Sequence, residues 1–405
     1  MFEVTHLGGE MAVFMLAIIL GAFLASKTNQ SALVGQIILG IIIGPAVLGV
    51  VTYNEVVKNL AELGIIFLIF LVGLECKFSE VYTKKNIGVA IISAGVTWSF
   101  GFIVSLLFGF SSLQGVFIAT AIVSTSTAVV ASLLKETGKI KSTIGKIIMG
   151  GSAINDIIGL IIFSIVVSAI KTKMTLSTIF FKVFLSILFI FAFFKIGKKL
   201  SKYLKKIEYW GLMNGHKKIG FTFSLMIAFF FAAISEIVGL STIMGAFVAG
   251  LALEHIKDRD FRIGAEYLEM IFGSIFFVSL GLLVNSLFDP LKNILIVVCL
   301  LGAAILGKLI GGYYACRIGK TKLTKKESII VGIGLSPIGE IAALAALVAF
   351  QNGIFTSEIY SSIIFVSIIS SVIVPMILVK LMNIKKEQKS EFRLDIKHRK
   401  SLIYQ

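Results

Sequence analysis

Three ionisable side chains stand where charge is expensive. Asp156, Lys308 and Glu340 each interrupt a long apolar stretch. A charge deep in hydrocarbon costs at least about 2.5–3.5 kcal/mol, so such residues need a partner or a task. Around the first, the order is Gly150-Gly151-Ser152-Ala153-Ile154-Asn155-Asp156. Ser152 precedes Asp156 by four residues and shares its helix face. Asn155 adds an amide oxygen. Carboxylate, hydroxyl, amide and carbonyl oxygens form a hard donor set, which suits an alkali cation better than a soft metal.

Depth relates these residues to one another. Counting from the nearest basic loop at 1.5 Å per residue, Asp156 lies roughly 15 Å deep, Lys308 roughly 13 Å and Glu340 roughly 20 Å. An acid and a base at matching depth can neutralise each other. Lys308 and Glu340 are therefore read as charge-pairing residues, with a static salt bridge as the alternative for Lys308 and Asp156. Two weak points in the helical pattern share this depth. Ser124-Thr125-Ser126-Thr127 offers hydroxyls that bond back to carbonyls and loosen a helix. Gly332-Ile333-Gly334-Leu335-Ser336-Pro337-Ile338-Gly339 combines helix-weakening glycines with a proline that lacks a backbone donor. Interrupted helices at mid-depth, one in each half of the chain, point to a transporter binding site. Thr125, Ser126 and Thr127 join Asp156, Asn155 and Ser152 as candidate cation and proton ligands. The hydroxyl run read alone could equally be packing glue between helices. Glu62, Glu75, Glu236 and Glu254 fall at span ends, where interfacial solvation accounts for them.

The elements that must carry these residues are helices in a bilayer. The chain has 405 residues, 57% hydrophobic and only 15% charged, with a mean hydropathy of +0.99. A soluble domain is about 45–50% apolar and about 25% charged. About thirteen apolar segments follow: 11–26, 32–51, 60–75, 86–108, 113–134, 147–170, 175–194, 219–238, 240–255, 264–285, 291–316, 328–350 and 358–379. These runs exceed the roughly ten residues of a barrel strand, so the expected class is an all-α polytopic membrane protein. With the N-terminus outside, only Lys58, Lys171, Lys173, Lys182 and Lys292 of the 38 Lys and Arg fall on the outer side. Lys308 lies within a span and the rest fall inside. That bias orients the chain with its C-terminus cytoplasmic, in the inner cell membrane.

The same bias accounts for the net charge of +16 without a nucleic-acid partner. Cys76, Cys299 and Cys316 show no CxxC or Cys/His spacing, the four histidines form no HExxH, and no GxGD occurs. No cofactor, metal enzyme or intramembrane hydrolase is expected. The N-terminus lacks the basic region of a cleavable signal peptide. The basic tail at 385–405 is read as solvated, with contact to anionic lipid as the alternative.

Several stretches together resemble the monovalent cation:proton antiporter superfamily. They are Leu60-Ala61-Glu62-Leu63-Gly64 through Gly73-Leu74-Glu75, Ser124 through Val130, the Asn155-Asp156 pair, Gly239-Leu240-Ser241 through Gly250, and Phe276-Phe277-Val278-Ser279-Leu280-Gly281. The order runs through nearly the whole chain and is most similar to bacterial sodium/proton antiporters of the second branch, spore-germination exchangers among them. The resemblance implies thirteen helices in two inverted repeats, with two interrupted helices crossing beside Asp156. It divides the chain into a dimer domain (1–84 and 217–288), a core transport domain (85–171 and 289–384), a linker helix (172–216) and the tail. It implies a homodimer whose core moves like an elevator, exchanging sodium, or lithium, for protons. It makes Asp156 the shared cation and proton carrier, Lys308 its charge partner and Glu340 a member of the crossing helix. Asn155 stands where many electrogenic members have an aspartate, and Ile338 where many members have Arg or another polar residue. Potassium/proton exchange on the same scaffold is the alternative, and a cation channel or membrane sensor is the alternative of another class.

Overall fold

Without water, backbone N–H and C=O groups must find partners inside the segment, and for long apolar runs only a helix supplies them. The computed structural model describes residues 7–28, 30–75, 83–171, 176–215, 219–254, 259–284, 290–318 and 323–382. Among these, every regular element is a helix. The basic tail and Cys76 lie outside the described residues; Cys299 and Cys316 form no disulfide.

The helices are α1 (Leu7–Thr28), α2 (Ala32–Ile43), α3 (Glu55–Glu75), α4 (Lys84–Leu107), α5 (Ser112–Val123), α6 (Thr127–Glu136), α7 (Thr143–Lys171) and α8 (Leu176–Met213). They continue as α9 (Ile219–Ile237), α10 (Thr242–Ala252), α11 (Arg259–Leu268), α12 (Ser274–Leu282), α13 (Pro290–Ile318), α14 (Lys325–Gly334), α15 (Glu340–Gln351) and α16 (Ser357–Leu381). A π-helical turn, Glu269–Gly273, joins α11 to α12. By length and composition, eight helical stretches of the described residues can cross a membrane, and α2, α5, α10 and α15 are shorter apolar helices. The chain is a multi-pass membrane protein. The linker segment expected to be apolar at 175–194 continues as one helix to Met213, because its lysine-rich second half has strong helix formers.

Helix starts follow their capping chemistry. Ser111 and Gln114 form a reciprocal capping box at α5, and Thr324 and Glu327 form one at α14. The two interruptions also occur. Ser124 is extended (φ −62°, ψ 150°) after α5, and helix resumes at Thr127. Between α14 and α15, residues 335–339 leave the helix, with Gly339 extended before Glu340.

With lipid on the outside, helices associate through close packing at small residues rather than through hydrophobic drive. α4 lies along α13, α3 along α10, and α2 against both α1 and α12. At the α3–α10 contact, a Cβ on Gly250 would run into the carbonyl of Phe70, and one on Gly73 into that of Phe247. Gly250→Val is therefore expected to separate the two backbones and destabilise the fold by about 1–3 kcal/mol. Thermal unfolding in detergent measures this; a variant that melts with the wild type would show that the contact is not close.

Candidate functional site

The two interruptions touch. Ser126 N donates to Pro337 O at 2.8 Å, and Thr125 Oγ1 donates to Leu335 O at 2.9 Å. Ile338 N donates to Ser370 Oγ of α16 at 3.0 Å. Backbone groups released by the breaks thus regain partners from the opposite break or a neighbouring helix. The approach is close enough that a Cβ on Gly339 would sit 2.9 Å from the Thr125 carbonyl, which excludes any larger residue there.

The break in the first helix presents two opposite partial charges. The last carbonyls of α5 carry a partial negative charge, and the first amides leading into α6 a partial positive one. Lys308 of α13 goes to the former: its Nζ donates to Val123 O at 2.5 Å and to Thr125 Oγ1 at 3.2 Å. Asp156 of α7 goes to the latter. Its Oδ1 accepts from Thr125 N at 3.3 Å, and its Oδ2 from the Thr127 hydroxyl at 2.9 Å. Asp156 is 4% exposed and Lys308 1%. Each charge is therefore met chiefly by one end of a broken helix.

Asn155 is fully buried and also meets Thr125, at its hydroxyl. Turned to satisfy all its neighbours, its amide donates to Ala90 O at 3.0 Å and accepts from Lys308 Nζ at 2.7 Å. The lysine's direct side-chain oxygens are those of Asn155 and Thr125. No ion pair of 4.0 Å or less joins Lys308 to Asp156 or to Glu340. Glu340 opens α15 and is half-buried.

Two hydroxyls complete the surroundings. Ser152 Oγ, one turn before Asp156, and Ser126 Oγ, between Thr125 and Thr127, are buried and have no hydrogen-bond partner. A buried polar oxygen without a hydrogen-bond partner costs stability. Asp156 thus brings a carboxylate to a break that also carries hydroxyl and carbonyl oxygens. Among the described residues no group of three or more His, Cys, Asp or Glu could hold a resident metal ion.

Four contributors escaped the residue-type reading. The carbonyls of Val123, Leu335 and Ala90 have no sequence signature, since every residue owns one. Ser370 did carry a signal, as a polar residue inside the apolar run of α16. Of the four glutamates assigned to solvated span ends, Glu62, Glu75 and Glu236 are exposed, whereas Glu254 is 8% exposed. The short helix α10 ends at Ala252 and turns Glu254 back against the protein.

Known proteins share this framework. The chain is 28% identical over 355 residues to the Na(+)/H(+)-K(+) antiporter GerN of Bacillus cereus, covering 86% of this chain and 89% of GerN. It is 29% identical over 352 residues to a Na(+)/H(+) antiporter of Enterococcus hirae, covering 85% and 90%. Its fold matches the sodium proton antiporter MjNhaP1 of Methanocaldococcus jannaschii with a TM-score of 0.64 at 18% identity, over 92% of this chain and 96% of that one. The model of the transmembrane sodium/hydrogen exchanger family matches residues 13–383, so the chain belongs to that family of cation/proton antiporters and is a secondary transporter, not an enzyme.

Proposed function

We propose that the chain exchanges sodium for protons, with Asp156 as the shared carrier. The observation that supports this most is the Asp156 carboxylate itself: buried, and bonded at one oxygen to the backbone amide of Thr125 and at the other to the Thr127 hydroxyl, both in the break of the first interrupted helix. A proton and a cation draw on the same two oxygens, so binding one displaces the other. Competition at one carboxylate converts a gradient of one ion into movement of the other. Lys308, bonded to Val123 O and Asn155, keeps the α5 end of the break in place while the occupant of Asp156 changes.

Thirteen crossings are obtained when α5 with α6, α14 with α15, and α11 with α12 are each taken as one interrupted span. The proposal places the N-terminus outside and the C-terminus inside, as the lysine and arginine bias argues. It takes α4–α7 and α13–α16 as a moving core, α1–α3 and α9–α12 as a dimer domain within a homodimer, and α8 as the linker. The close α4–α13 and α3–α10 contacts each fall within one of these parts, which favours movement of the parts as units. Potassium is the second reading, because GerN carries both ions in its name.

The test is cation-driven proton flux in proteoliposomes with a lumenal pH dye, adding sodium, lithium and potassium separately. Sodium and lithium are expected to release protons at concentrations where potassium gives little response. Potassium alone driving the flux would replace the sodium reading, and a single-channel current would replace the exchanger.

A further inference from the structure

α7 carries a second polar cluster beyond Asp156. Ser164 and Ser168 lie two and three turns further along, about 12 and 18 Å from the carrier along the axis. Both meet the turn between α9 and α10. Gly239 there has φ 78°, a conformation only glycine adopts easily. Its carbonyl accepts from Lys182 Nζ of α8 at 2.6 Å and lies 3.0 Å from Ser168 Oγ. Ser241 N donates to Ser164 Oγ at 2.8 Å. The turn is stiffened from within: Ser241 caps α10 through Met244 N, and Ser235 Oγ donates to Ser241 O at 2.8 Å. A rigid turn of the proposed dimer domain is thus gripped by the proposed core and by the linker.

We infer that Ser164, Ser168 and Lys182 form a latch on the Gly239 turn, which fixes the side of the membrane that the Asp156 site faces and is broken and remade in each transport cycle. The inference rests on the moving-core reading. Ser164 and Ser168 sit on the proposed core, and a core that slides by a few ångströms cannot keep their hydrogen bonds to a stationary turn, while Lys182 of the linker holds that turn from the other side. The latch is also built to open. Ser168 Oγ lies 2.9 Å from Ser164 O of its own helix, so its hydroxyl keeps an acceptor when Gly239 leaves. Lys182 is partly exposed and its long stem can carry the amine back to the interface. On the turn itself, Ser241 N and Gly239 O give up these partners when the latch opens. These three side chains are positioning residues and touch neither the cation nor Asp156.

The test uses the full chain with its cysteines replaced by alanine and Leu240→Cys as reporter, since Leu240 is 5% exposed beside the latch. Lys182→Met, Ser168→Ala and their combination are compared with the unsubstituted latch. One readout is the rate of labelling by a membrane-impermeant maleimide, with and without sodium. The other is the sodium KM from each face, in vesicles of opposite orientation. Loss of a hydrogen bond of ordinary strength is expected to speed labelling about threefold to tenfold. It should move the two KM values in opposite directions, with Lys182→Arg restoring both. If labelling of the intact latch responds to sodium but the variants match it, the latch is overturned and the moving core stands. If labelling of the intact latch ignores sodium, the moving-core reading falls and the latch with it. Equal KM changes on both faces would mark the cluster as a packing contact only, and overturn the inference.

Discussion

Asp156→Asn is expected to abolish sodium-driven proton flux, by at least about 100-fold, while leaving the fold intact. The expectation follows from which interactions the substitution keeps. An asparagine oxygen in the place of Oδ1 can still accept from Thr125 N, and its amide nitrogen in the place of Oδ2 can donate to the Thr127 hydroxyl. What disappears is the charge and the ability to bind and release a proton. The remaining ligands, Ser126 and Ser152, are neutral hydroxyls and cannot balance a dehydrated cation. A loss of about 100-fold corresponds to about 2.7 kcal/mol of binding or barrier, a modest demand for deleting a buried negative charge. The measurement is dye-reported flux in proteoliposomes, with gel filtration and thermal unfolding to establish folding. Flux surviving in folded Asp156→Asn would remove Asp156 as the carrier.

Lys308→Met is expected to act differently, through stability. Methionine replaces the stem but donates nothing. Val123 O at the end of α5 loses a charge-assisted bond, and the oxygens of Asn155 and Thr125 lose a donor. Each unmet buried acceptor costs about 1–3 kcal/mol. No longer burying an ammonium offsets part of that cost. A net loss of about 2–4 kcal/mol follows, with a melting temperature lower by about 2–5 °C for a chain of this size. Transport should fall as well, because Thr125 supplies the amide that holds Asp156. Asp156→Asn should melt close to the wild type. If the order of the two melting temperatures is reversed, Lys308 does not hold the break together.

The contrast between these variants reflects how the two charges are accommodated. A simple intramembrane ion pair would make Asp156 and Lys308 mutually dependent, so that losing either strands the other. Here the broken helix stands between them. Its carbonyl end takes the ammonium and its amide end the carboxylate, so each charge has backbone partners of its own. The carboxylate can then change its occupant without stranding the lysine, a useful property in a carrier that must be filled and emptied.

The sequence alone determined the membrane class, because hydropathy is a sum over local residues and needs no tertiary partner. It marked Asp156, Lys308 and Glu340 as costly, and it located both helix breaks, since hydroxyl runs and Pro337 act on the backbone beside them. Depth along each span was legible for the same reason: every residue advances a helix by a fixed rise. Rotation and lateral position were not. Matching depth suggested that Lys308 should pair with an acid, but depth supplies one coordinate of three. Only the tertiary structure decided that Lys308 turns to Val123 O and Asn155, that Asp156 turns to Thr125 and Thr127, and that Ser126 and Ser152 are left without partners. The partners it chose are largely backbone carbonyls and amides, which every residue possesses and no residue type announces. Their availability arises where two broken helices meet, and that meeting is a property of the fold.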